Sequence, residues 1–193
     1  MAKKKQPTSL EFNGTPDEKM TARMNYANEA LESWHKESDR GAGLVVFSHL
    51  ETVLGDLLRR LMIAERSKEL EDAIMEYPGP LSAGSTRIDM AFLLGCIGPK
   101  THRDLKRMKD IRNRFAHSRT HIGFDEAQIT AWCESLHFGK CPGRPGVRFC
   151  AKDQFLMAGG MILLQLWKIM DDSVTPKIGR DNAPAPLPAP GSH

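Results

Sequence analysis

The stretch Leu44 to Met62 places Val46, Leu50, Val53, Leu54, Leu57, Leu58 and Leu61 three and four residues apart, the spacing that lines one broad face of an α-helix with hydrocarbon. Such a face is stable only when other elements cover it, so this segment is expected to be the central helix of a bundle. The rest of the chain supplies the cover. Thr21 to Ser38 carries Met24, Ala27, Leu31 and Trp34 at helical spacing, and a break or bend is expected at Asp39-Arg40-Gly41. Lys68 to Glu76 reads as a shorter helix stopped by Pro78-Gly79-Pro80. Thr86 to Ile97 follows, with Ile88, Met90, Ala91, Leu93 and Leu94 expected inside and Gly98-Pro99 ending it. Thr101 is expected to cap a basic helix whose positive end is favoured by Asp104. Asp125 is expected to cap a helix to Leu136, and Gln154 to Met170 closes the domain. Between them, Gly139, Pro142, Gly143, Pro145 and Gly146 make residues 138–152 a loop, with a short strand expected at Val147 to Cys150. No repeat and no βαβ alternation interrupts the pattern, so the class is all-α, a single-domain helical bundle.

Length and composition bound the rest. A chain of 193 residues fits one domain plus tails and buries enough surface to need no staples. Residues 1–20 are expected to be a flexible arm, 21–173 the domain, and 174–193, with its alternating Ala and Pro from Ala183 to Pro190, an extended tail. The basic Lys3-Lys4-Lys5 is not followed by a signal-like apolar run, and Phe155 to Leu164 falls short of the ~20 residues that cross a bilayer. A cytoplasmic protein without membrane contact is the expectation. Cys96, Cys133, Cys141 and Cys150 form no C-x-x-C pair and read as reduced thiols. A zinc site from Cys133, His137, Cys141 and Cys150 would need a spacing that fits no established finger, so neither metal nor cofactor is expected.

The basic helix carries the chemistry. Advancing about 100° per residue from Leu105 puts Met108, Ile111, Phe115 and Ala116 in one stripe, and Arg112 falls inside it. A guanidinium facing a core needs an anion or several carbonyls, and Glu51 or Asp56 on the central helix is the expected carboxylate. The opposite face bears His102, Arg103, Lys106, Arg107, Lys109 and Arg114, with His117 among them if the helix persists. With a net charge of only +3, it is this arrangement rather than the sum that suggests a phosphate track. Arg144 and Arg148, beside Phe138 and Phe149 in the loop, join cations to stacking surfaces as contacts to single-stranded RNA do. Gly159-Gly160 marks a close approach of another helix, within the bundle or across a dimer interface, and Met157, Met161, Met170 and Trp167 are read as core.

Ser38-Asp39-Arg40-Gly41, Gly79-Pro80-Leu81 followed by Arg87-Ile88, Leu94-Gly95, Asp110-Ile111-Arg112-Asn113 and Phe124-Asp125 together resemble the mannitol operon repressor family over residues 38–136. The run Arg112-Asn113-x-x-x-His117 is also similar to the arginine-histidine signature of HEPN domains, helical modules found in RNA-cleaving proteins. The resemblance implies a bundle that commonly forms homodimers and a regulator that works through a protein partner, since no DNA-reading helix-turn-helix is evident and specific DNA is not expected. It also implies an alternative: a metal-independent endoribonuclease with Arg112, Asn113 and His117 as catalytic residues. There His117 would move a proton while Arg112 stabilised charge on the phosphorane. Residues five apart on a helix are turned by about 140°, so the two side chains meet only if the helix ends near Ala116 or a second subunit completes the site.

Overall fold

The computed structural model describes residues 14–62, 67–140 and 149–172. Seven helices and no strand are found among them. α1 (Pro16–Lys36) starts five residues before the expected Thr21, because Thr15-Pro16-Asp17-Glu18 is a complete capping box: the Thr15 hydroxyl accepts from Glu18 N, and the Glu18 carboxylate accepts from Thr15 N at 2.8 Å. α2 (Asp39–Arg60) likewise absorbs the segment expected as a break. Ser38 caps it by accepting from Gly41 N at 3.1 Å, so Asp39-Arg40-Gly41 is its first turn.

α3 (Lys68–Met75) lies as expected, whereas α4 (Gly84–Leu93) is shorter than its sequence suggested. Leu94 caps α4 and Gly95 turns with φ +73°, which lets Cys96 N reach back to Ala91 O at 2.9 Å. The chain therefore buries Ile97 and leaves Leu93 and Leu94 outside, contrary to their expected place in the core. α5 (Pro99–His117) is capped by Gly98 with Pro99 in its first turn. Thr101, expected as the cap, is instead buried inside the helix and donates to Gln165 Oε1 at 2.9 Å. α6 (Ala127–Glu134) is capped by Glu126, one residue after the expected Asp125, and α7 (Ala151–Asp172) begins before the expected Gln154. Phe149 and Cys150 are not in a strand, and the rest of the expected strand, 147–148, lies outside the described residues.

α2 is the centre, packed against α7, α5, α4 and α1. Its composition and length would suit a membrane span, yet 56% of that stretch is buried by the other helices. Val46, Leu50, Leu54 and Leu57 are fully enclosed, together with Leu105, Met108, Ile111 and Phe115 of α5 and Phe155, Ile162, Leu163 and Leu166 of α7. Gly159 and Gly160 explain how the helices come so near. A Cβ at Gly159 would lie 2.6 Å from Val46 Cγ1 of α2, and one at Gly160 would lie 3.2 Å from Leu31 of α1. The close approach expected of this pair is thus within the bundle. Trp167 is buried, but Met161 is 45% exposed and is not core as expected.

Candidate functional site

α5 buries Leu105, Met108, Ile111 and Phe115 of its expected core stripe, while Ala116 at the edge of that stripe is only partly covered. Arg112 is the departure. Its side chain is half-buried, and neither Glu51 nor Asp56 pairs with it. Its Nη1 donates to the side chain of the next residue, Asn113, at 3.1 Å, while its buried Nε has no hydrogen-bond partner among the described residues. The two expected anchors lie in other surroundings. Glu51 lies against the first residue of α4, where a Cβ at Gly84 would stand 2.6 Å from its Oε1. Asp56 has its carboxyl pushed up to about 6 by burial, against the pull of Arg59 and Arg87. The core-side guanidinium that does knit the bundle is Arg87, which donates to Leu81 O at 2.7 Å, Met75 O at 3.1 Å and Glu51 O at 3.2 Å. Three carbonyls satisfy a guanidinium as a carboxylate would.

His117 is the last residue of α5 and is exposed. Among the described residues no hydrogen bond or ion pair joins it to Arg112, and α5 ends at His117, one residue past Ala116, with Ser118 as its cap. What secures this end is a residue that the sequence offered only as part of Ser38-Asp39-Arg40-Gly41, with no role of its own. Arg40, in the first turn of α2, donates to Ala116 O at 3.1 Å and Ser118 O at 3.4 Å, placing a cation on the carbonyls at the negative end of α5. Its neighbour Asp39 accepts from Phe124 N at 3.0 Å and meets Lys152 at 3.3 Å. A cleft of about 460 Å³ opens alongside, lined by Asp39, His121, Ile122, Gly123, Asp125 and Glu126. Of its three carboxylates, Asp39 is paired with Lys152 and Glu126 with Arg114.

The outer face of α5 is less free than its composition implies. Asp89 of α4 binds Lys106 at 2.7 Å and His102 at 2.9 Å, and these two hydrogen bonds, Lys106 first, hold its carboxyl below the usual range. Arg114 pairs with Glu126 at 3.1 Å, Lys109 with Asp110 at 3.6 Å, and Arg107 sits over the Trp132 ring at 5.5 Å. Arg103 stays exposed with no carboxylate partner among the described residues. Of the expected phosphate-binding cations, Arg144 and Arg148 lie outside the described residues.

Asp104, expected to favour the helix dipole, is instead buried in the sixth helical position and accepts from Phe138 N at 2.9 Å, tying the segment after α6 to α5. No cluster of His, Cys, Asp and Glu among the described residues is arranged to hold a metal. Cys133 is buried, and enclosure in the core pushes its thiol up to about 12, the state of an inert packing group. Cys141 lies outside the described residues.

No protein-family model and no curated protein matches this sequence. Among solved structures, the MtlR–HPr complex from Escherichia coli resembles it, with a TM-score of 0.60 at 16% identity, covering 75% of this chain and 98% of the other. At that identity the likeness concerns backbone architecture: this chain has an MtlR-like fold.

Proposed function

We propose that this chain is a cytoplasmic regulatory protein that acts by binding another protein, of the kind HPr represents for MtlR, rather than by reading DNA. The likeness to MtlR, a protein seen in complex with HPr, supports this reading across nearly the whole of that chain. The geometry of α5 agrees, because Asp89, Asp110 and Glu126 take up cations that a phosphate track would need. A calorimetric titration of the full chain with the HPr protein of its own organism tests the reading. Saturable heat with a micromolar midpoint is expected, and no heat at millimolar concentration overturns it.

A second reading, a metal-independent endoribonuclease with Arg112, Asn113 and His117, is favoured by one observation. Arg112 is half-buried and spends a single donor on Asn113, so the other Nη donors of its fork are left for a phosphate. In this reading a homodimer sets Arg112 of one copy opposite His117 of the other, with Arg103, Lys106, Arg107, Lys109 and Arg114 touching the RNA backbone. Single-stranded RNA incubated with the protein in EDTA decides it: cleavage that His117→Ala abolishes supports the enzyme, and intact RNA at high protein concentration removes it.

A further inference from the structure

We propose that the end of α4 is a docking ridge for a partner protein whose contact face sets carboxylates around an apolar centre. Phe92, Leu93 and Leu94 are consecutive and 38%, 79% and 55% exposed, a concentration of hydrocarbon that a solvated helix end does not need. The turn behind them is open. A Cβ at Gly95 or at Gly98 would meet no atom within 4 Å. The ridge is therefore held out by the αL turn at Gly95 while Ile97 anchors the chain beneath it.

The surroundings are cationic. His102 stacks on Phe92 with ring centroids 4.5 Å apart, and Lys106 stands one turn further along α5. Asp89, the carboxylate on this face, is already held by both. Lys100 and Arg103, in the first turns of the same helix, are exposed and without a carboxylate partner among the described residues. An apolar centre with an unbalanced positive rim selects an acidic counterpart and rejects a basic one. Protein fits better than RNA, since two of the three apolar groups are leucines with no flat face for a base, and Phe92 already stacks on His102. Three side chains bury far less than the ~800 Å² per partner of a stable complex, so the contact is brief and reversible.

This proposal rests on the protein-binding reading but commits to a surface, and its test does not require HPr. The probe is a fluorescent helical peptide with leucines along one stripe and glutamates flanking it, beside a twin with lysines in place of the glutamates, each titrated with the full chain. The glutamate peptide is expected to bind about tenfold more tightly than its twin, and Leu93→Ser/Leu94→Ser and Lys100→Glu/Arg103→Glu each to weaken it about tenfold. All four positions are exposed, so an unchanged thermal melt confirms that the variants fold. No binding by the unaltered chain, equal binding of the two peptides, or binding that ignores the ridge variants overturns the proposal. A chain that binds the peptide but not HPr keeps the ridge and loses the HPr reading; the reverse result keeps that reading and loses the ridge.

Discussion

Arg40 Nη2 donates to the carbonyl oxygen of Ala116 at 3.1 Å, joining the first turn of α2 to the last turn of α5 across 76 residues of sequence. Arg40→Ala leaves the last carbonyls of α5 to water and removes a cation from the negative helix end. We expect a loss of about 1 kcal/mol in urea denaturation, and faster amide exchange confined to Arg114 to Ser118. Exchange unchanged there would show that Arg40 does not hold the helix end.

Arg112 makes a contrasting case. Breaking a buried ion pair would cost ~3–5 kcal/mol because it leaves the carboxylate stranded. With Asn113 as its partner and no carboxylate to strand among the described residues, Arg112→Met should shift stability by no more than ~1 kcal/mol. A loss above ~3 kcal/mol in the same denaturation measurement would mean that an anion lies against Arg112 after all.

The glycine pair separates two close approaches. At Gly159 a methyl meets Val46, whose branched side chain is enclosed on all sides, and Gly159→Ala is expected to lower stability by ~1–3 kcal/mol. At Gly160 the obstacle is the half-buried Leu31 side chain, which can turn aside. The ~1 kcal/mol helix-propensity gain of alanine then offsets the contact, so Gly160→Ala should be close to neutral. Thermal melts of the two variants check the order.

Asp56 and His49 bring opposite pH dependence. Burial raises the Asp56 carboxyl from 3.8 to about 6, so the folded state holds that proton more tightly; the stability this gives is full below pH 3.8 and is lost as pH rises through about 6. Burial lowers His49 below 6.5, so its contribution is full above pH 6.5 and fades as pH falls through the folded value. Asp56→Asn should therefore stabilise the protein at pH 8 by ~1 kcal/mol, after discounting for the solvent that still reaches the carboxyl and for lost attraction to Arg59 and Arg87, and should give no gain at pH 4. Denaturation midpoints at the two pH values decide it.

The bundle could be read from the sequence wherever periodic hydrocarbon decided the outcome, as in the faces of α2, α5 and α7. Misreadings gathered at helix ends. Thr15-Pro16-Asp17-Glu18 and Ser38 are local capping signals that outweigh the polar composition around them, and Gly95 ended α4 earlier than its apolar run suggested. At the candidate site, angular position placed Arg112 on the inner side but did not reveal that neither Glu51 nor Asp56 pairs with it, because that depends on how α4 and α5 pack around α2. Arg40 stood within Ser38-Asp39-Arg40-Gly41, but its role was not legible: its acceptors are backbone carbonyls far along the chain, and no residue type announces a carbonyl.

Arg87 closes three carbonyls from different parts of the fold around a single guanidinium: one in α2, one at the end of α3, one in the connection to α4. Planar and permanently ionised, that group ties the corner with a stiffness that a lysine's lone ammonium on a swivelling stem would not reproduce. The segment from Met75 to Arg87 should accordingly open in one cooperative step with the middle of α2, rather than peel away as an independent flap.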